Sequence, residues 1–140
     1  MIIGVGHDIC RIDRIAQIYA RFGDRFVRRI CTNAERDELE ARADKPSYLA
    51  KRFAVKEAVY KALHQADQST MRWHDAETLS SLHCSGAPQL TLYGGCKQAV
   101  YALMPEGHDP VFHISISDDI PFASAFITIE ARPSGNQKIS

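Results

Sequence analysis

The chain has 140 residues, 45% hydrophobic and 24% charged, which is enough for one soluble domain with its own core and leaves no room for a second. Its 17 basic side chains balance 17 acidic ones, and this neutrality argues against a generally basic nucleic-acid binder. No apolar run reaches membrane-spanning length.

Ile2 to Cys10 reads as a strand. Alternation puts Ile3, Val5, His7 and Ile9 on one face and Gly4, Gly6 and Asp8 on the other. The glycine side reads as open, since glycine inside a strand marks close approach of another backbone or of a ligand, and the aspartate beside it needs a partner if it is buried. The same carboxylate also suits a cap on the next helix. His7 and Cys10 have a spacing that suggests zinc, but on a strand they point to opposite faces. The apolar start lacks a basic n-region and is interrupted at Asp8, so no secretory leader is expected.

Residues 12 to 21 and 24 to 30 read as helices separated by Gly23. Residues 11 to 29 hold six arginines against two aspartates, a local excess of four positive charges. Arg14, Ile18, Arg21 and Arg25 recur at three- or four-residue intervals and can present basic groups around an apolar contact, a patch for an acidic partner. A nucleic-acid reading has little aromatic support, because Tyr19, Phe22 and Phe26 are spaced like core residues.

Thr32-Asn33-Ala34-Glu35 is a capping-box pattern for a helix through about Ala43. Pro46-Ser47 resets the chain for a long helix from Tyr48 to about His64. On it Phe53, Glu57 and Lys61 share a face, near the small Ala54 and Ala58. One carboxylate among Arg52, Lys56 and Lys61 suits a hard cation and a phosphate, since magnesium usually takes only one or two protein carboxylates. The same spacing also fits an ordinary Glu57 to Lys61 surface pair.

A loop through Trp73 leads to a strand near Glu77 to His83, a Gly86-Ala87-Pro88 turn, a strand over Gln89 to Gly94 and a helix across Lys97 to Leu103. Val111 to Ser117 and Phe122 to Ala131 then form a hairpin joined by Asp118 to Pro121. In its first strand Phe112, Ile114 and Ile116 form a core face. His113, Ser115 and Ser117 form a polar face that can bind nucleotide or simply meet solvent. The domain is expected to span 1–132, followed by a polar, disordered tail over 133–140. Cys10, Cys31, Cys84 and Cys96 show no paired or C-x-x-C spacing, so free thiols in a reducing cytoplasm are expected.

Gly4-Val5-Gly6-His7-Asp8-Ile9 and Phe53-Ala54-Val55-Lys56-Glu57-Ala58-Val59-Tyr60-Lys61 resemble two motifs of the holo-acyl-carrier-protein synthase family, the small phosphopantetheinyl transferases. Gly86-Ala87-Pro88 is similar to the family's G-x-P turn, His113-Ile114-Ser115-Ile116-Ser117 to its H-[VI]-S-[IL]-S strand, and Ala123 to Glu130 to its closing strand. The resemblance spans nearly the whole chain in the right order. Three positions depart from it: His7 replaces the usual threonine, Leu63-His64-Gln65-Ala66 stands where many relatives have G-T-G, and Asp118 where many have histidine.

The resemblance implies an α+β single domain, with a mixed or antiparallel sheet wrapped around the long helix, and a homotrimer with active sites between subunits. It implies magnesium-dependent transfer of 4′-phosphopantetheine from coenzyme A to a serine of apo-acyl carrier protein in the cytoplasm, leaving adenosine 3′,5′-bisphosphate and serving fatty-acid or polyketide synthesis. On this reading Asp8 and Glu57 hold Mg2+, Lys61 and Lys56 add positive potential, and His113 contacts the nucleotide. Arg14, Ile18, Arg21 and Arg25 engage the carrier. The proton acceptor stays open between Glu57 and a water on the metal. Two other readings are a non-catalytic carrier-binding relative and a small nucleotide-binding regulator.

Overall fold

The computed structural model describes residues 1–80 and 86–135. Strand β1 (Ile2–Arg11) runs into α1 (Ile12–Phe22), α2 (Asp24–Ile30), α3 (Asn33–Glu40) and the long α4 (Lys45–Ala62). A single 3-10 turn, Trp73–Asp75, precedes β2 (Ala76–Ser80), β3 (Pro88–Leu92), α5 (Gly94–Leu103), β4 (His108–Asp119) and β5 (Phe122–Pro133). One antiparallel sheet has the order β1-β5-β4 and a second pairs β2 with β3. The expected α+β domain is therefore present, with an antiparallel sheet laid against the long helix.

Local chemistry explains most boundaries. Glycine at φ +54° ends α1 at Gly23, a conformation that costs a residue without Cβ little. Thr32 caps α3 through the expected reciprocal box, accepting from Glu35 N at 3.2 Å while Glu35 Oε1 accepts from Thr32 N at 3.0 Å. α3 stops at Glu40, earlier than Ala43. α4 starts at Lys45 instead of Tyr48, because the Asp44 side chain accepts from Ser47 N at 3.0 Å and Pro46 sits in the first turn, where no N–H is needed. α5 likewise begins at Gly94, where the sequence pattern continues β3.

Helix α4 carries the core. Leu49, Ala50, Ala54, Val55, Ala58 and Leu63 at its end are fully buried, so apolar residues surround it instead of forming one stripe. One core cluster joins its second half to Ala125, Ile127 and Ile129 of β5, and another joins its first half to Ile15, Val27, Ile30 and Leu39. Phe112, Ile114 and Ile116 pack against the first cluster, as their alternation predicts. Tyr19 and Phe26 pack against the second. Phe22 departs from its core-like spacing and is 43% exposed, with the Arg21 guanidinium 5.0 Å above its ring, because Gly23 turns the chain before the ring can be covered.

Candidate active site

Strand β1 lies on α4 through its glycine face. A Cβ on Gly6 would stand 1.8 Å from the Ala58 carbonyl oxygen, and one on Gly4 would stand 2.4 Å from that of Ala62. The glycine side that reads as open is thus filled by helix backbone, and only hydrogen at these positions allows that approach. The next residue on this face is Asp8, which the contact delivers to the last turns of α4. Lys61 Nζ donates to Asp8 Oδ1 at 2.8 Å and to the His7 carbonyl at 3.1 Å. Asp8 caps no helix, since the N-cap of α1 is Arg11 without a side-chain bond.

Glu57, one turn before Lys61, makes no hydrogen bond or ion pair among the described residues. Partial burial raises its carboxyl above the ordinary 4.5, the nearby Asp8 charge raises it further, and Lys61 opposes both. The ion pair with Asp8 holds the Lys61 ammonium above its usual range. Two carboxylates, Asp8 and Glu57, thus stand near one ammonium, and of these three groups Glu57 lines a cleft of about 260 Å³. Glu57, Lys56, Tyr60, Arg72 and Trp73 line it. Among the described residues no group of three or more metal-ligating side chains forms. A pair of oxygen donors with excess charge still fits a hard dication, which keeps its other positions for water and substrate phosphate.

Lys56 adjoins Glu57 but turns inward. Its Nζ donates to Glu35 Oε1 at 2.8 Å and to the Ala76 carbonyl, with its side chain only 3% exposed. Arg52 lies beside it, over the Tyr48 ring at 4.4 Å and paired with Glu38 at 3.3 Å. In the sequence Glu35 reads only as a cap, and no local pattern announces that it receives Lys56. Tyr60, Arg72 and Trp73 are also missed there. Trp73 stacks on Phe53 with centroids 5.3 Å apart, a contact between loop and helix that periodicity cannot show.

His113 stands apart from this cluster within one chain. In the sheet register it aligns with Thr128, which aligns with Val5, on the face turned away from α4. There His113 Nε2 meets Glu130 Oε2 at 2.8 Å, and Arg132 together with His113 holds the Glu130 carboxyl down at about 2. The same face exposes Val5, Ile9, Phe122 and Phe126 by 41–56%. His7 is on it and Cys10 is on the other, where its Sγ donates to the Ala50 carbonyl at 3.3 Å. Asp118 pairs with Lys51 at 3.3 Å. At the end of α4, His64 Nδ1 lies 3.2 Å from the Lys61 carbonyl and Gln68 donates to that of Tyr60 at 2.6 Å, so side chains meet the last carbonyls of the helix.

Arg14 and Arg21 are exposed on α1 with Ile18 half-buried. The break at Gly23 places Arg25 on α2, so the four do not share one helix. Ile18 and Arg25 nevertheless line one groove of about 370 Å³ with Phe22, Phe26 and Arg29. The Phe53–Trp73 stack stands between this groove and the Glu57 cleft, since Trp73 lines both.

Residues 4–109 match the family described as the 4′-phosphopantetheinyl transferase superfamily. The holo-[acyl-carrier-protein] synthase of Methylorubrum populi is 42% identical over 134 residues, which is 95% of this chain and 96% of the relative. Among solved structures, the holo-[acyl-carrier-protein] synthase of Neisseria meningitidis matches with a TM-score of 0.78 at 28% identity, over 93% of this chain and 99% of that one. That of Bacillus anthracis, in complex with CoA (3′,5′-ADP), matches with a TM-score of 0.71 at 28% identity, over 94% and 99%.

Proposed function

The chain belongs to the 4′-phosphopantetheinyl transferase superfamily, and from that premise we propose that it is a holo-acyl-carrier-protein synthase. It transfers the 4′-phosphopantetheine group of coenzyme A to a serine of apo-acyl carrier protein, in line with its 42% identity to a relative of that name. The observation that carries this reading is the convergence of Asp8 and Lys61 on Glu57, which lines the cleft. In the reaction the serine oxygen bonds to the pantetheine-bearing phosphorus. The phosphoanhydride bond breaks, and adenosine 3′,5′-bisphosphate leaves.

Asp8 and Glu57 would hold Mg2+, which when bound supplies charge neutralisation on the pyrophosphate. Lys61, fixed by Asp8, brings a permanent positive charge to the leaving phosphate. Glu57 or a water held beside it takes up the serine proton. Lys56 contributes to the phosphate site from the cleft wall. Arg14, Ile18, Arg21 and Arg25 dock the acidic carrier.

The exposed apolar face of the β1-β5-β4 sheet supports assembly into a homotrimer, in which His113 of each chain serves a neighbour's nucleotide site. Cys10, Cys31 and Cys96 are unpaired, in keeping with a reducing cytoplasm; Cys84 lies outside the described residues. No helix among the described residues is long and apolar enough to cross a membrane.

Magnesium-dependent transfer of labelled pantetheine from coenzyme A to an apo carrier protein is the decisive assay. Binding of carrier without transfer would identify a non-catalytic relative, and binding of nucleotide alone a regulator. Sedimentation is expected to give a trimer at micromolar concentration; a fully active monomer would overturn the shared site.

A further inference from the structure

Glu35 is wholly buried, yet it is the centre of a polar knot. Its oxygens accept from Thr32 N at 3.0 Å, Thr78 N at 3.1 Å and Lys56 Nζ at 2.8 Å, and Arg52 Nε stands 4.0 Å away. One carboxylate thereby ties the start of α3, strand β2 and the middle of α4 together. Stability alone is a weak reason to keep such a pair, because well-packed apolar residues of the same volume do as well or better. The cap needs only one Glu35 oxygen, and a glutamine supplies that.

Lys56 supplies the other reason. An ammonium has three N–H donors. Glu35 and the Ala76 carbonyl take two, the third has no partner among the described residues, and Lys56 forms part of the wall of the Glu57 cleft.

We propose that Glu35 is a positioning residue for phosphopantetheine transfer: it fixes the Lys56 ammonium in one orientation, so that its remaining N–H donates to a phosphate oxygen of bound coenzyme A. This rests on the reading of the cleft as the pyrophosphate site. Glu35 touches no substrate, and its influence runs through Lys56 alone.

The test is a double-mutant cycle of Glu35→Gln and Lys56→Gln in the full chain, well below the melting temperature of each variant, with folding checked by circular dichroism. Each single substitution is expected to lower kcat about tenfold with the KM for carrier protein unchanged. The double variant should be no slower than Lys56→Gln. A folded Glu35→Gln variant with wild-type kcat, or one that loses the same factor in the Lys56→Gln background, would overturn the proposal.

A measurement on the wild type decides the matter if Glu35→Gln does not fold. The Nζ resonance of Lys56 in 15N-lysine-labelled protein, assigned with Lys56→Arg, should move when coenzyme A is added without magnesium. A resonance that coenzyme A leaves in place would also overturn the proposal. Wild-type protein that binds coenzyme A but transfers nothing would instead break the underlying functional reading, which separates the two failures.

Discussion

Helix α4 carries two lysines that meet carboxylates, and the two pairs sit in opposite settings. Lys56 and Glu35 are both buried, and backbone amides and a carbonyl take all but one N–H of what the ion pair leaves over. Lys61 and Asp8 meet at the same 2.8 Å, but the lysine side chain is 51% exposed and Glu57 stands close by without a partner among the described residues. A matched, buried pair holds elements in place. A surplus carboxylate beside a cleft is unfinished without a cation, and that imbalance marks where one binds.

Several changes would break or sharpen this contrast. The largest effect is expected from Asp8→Asn or Glu57→Gln, each lowering transfer by about 100-fold or more, because each keeps side-chain shape and removes an anionic metal ligand. Magnesium titration of the turnover, with circular dichroism to confirm the fold, checks this. Near-normal turnover at low magnesium would remove the site from this end of α4.

Gly6→Ala should come next. A methyl 1.8 Å from the Ala58 carbonyl oxygen forces β1 off the helix, at a cost of about 1–3 kcal/mol in stability, and carries Asp8 away from Glu57 and Lys61. Urea denaturation and turnover should therefore fall together. An unchanged midpoint would show that the strand and helix are not held by this contact.

A smaller and more selective effect is expected from Arg14→Glu with Arg21→Glu. The KM for carrier protein should rise about tenfold, while that for coenzyme A stays, since like charges replace complementary ones at the docking surface and Asp8 and Glu57 remain in place. Added salt should weaken the wild type more than the variant. Lost affinity for coenzyme A with normal carrier affinity would assign these arginines to the nucleotide site.

The smallest effect has the opposite sign. Glu57 is raised above 4.5 in the folded state, so the folded protein favours its neutral form, and the stability this gives is present below pH 4.5 and lost as pH rises through the raised value. Glu57→Gln should therefore increase Tm at pH 7.5, by about 1–2 °C without magnesium, and the gain should vanish on acidification below about pH 4.5. A loss of stability at neutral pH would mean that Glu57 is a structural carboxylate.

The sequence by itself determined the features whose causes are local. Thr32 and Glu35 announce a helix start because both bonds of the box span three residues. Gly23 ends a helix through its own backbone freedom. Asp8 beside two glycines, and Glu57 one turn from Lys61, were legible because each motif fits within one element, and the family pattern joined them.

Only the tertiary structure decided what those residues meet. It set the helix against the glycine face, made Lys56 a partner of Glu35 across 21 residues of chain, and put His113 on the sheet face away from Asp8. The reason is physical: a side chain's partner follows from which surfaces the core brings together. The apolar alternation of β1 illustrates this, since Val5 and Ile9 stay exposed while the glycines pack. A helix backbone can approach hydrogen more closely than it can approach a branched side chain.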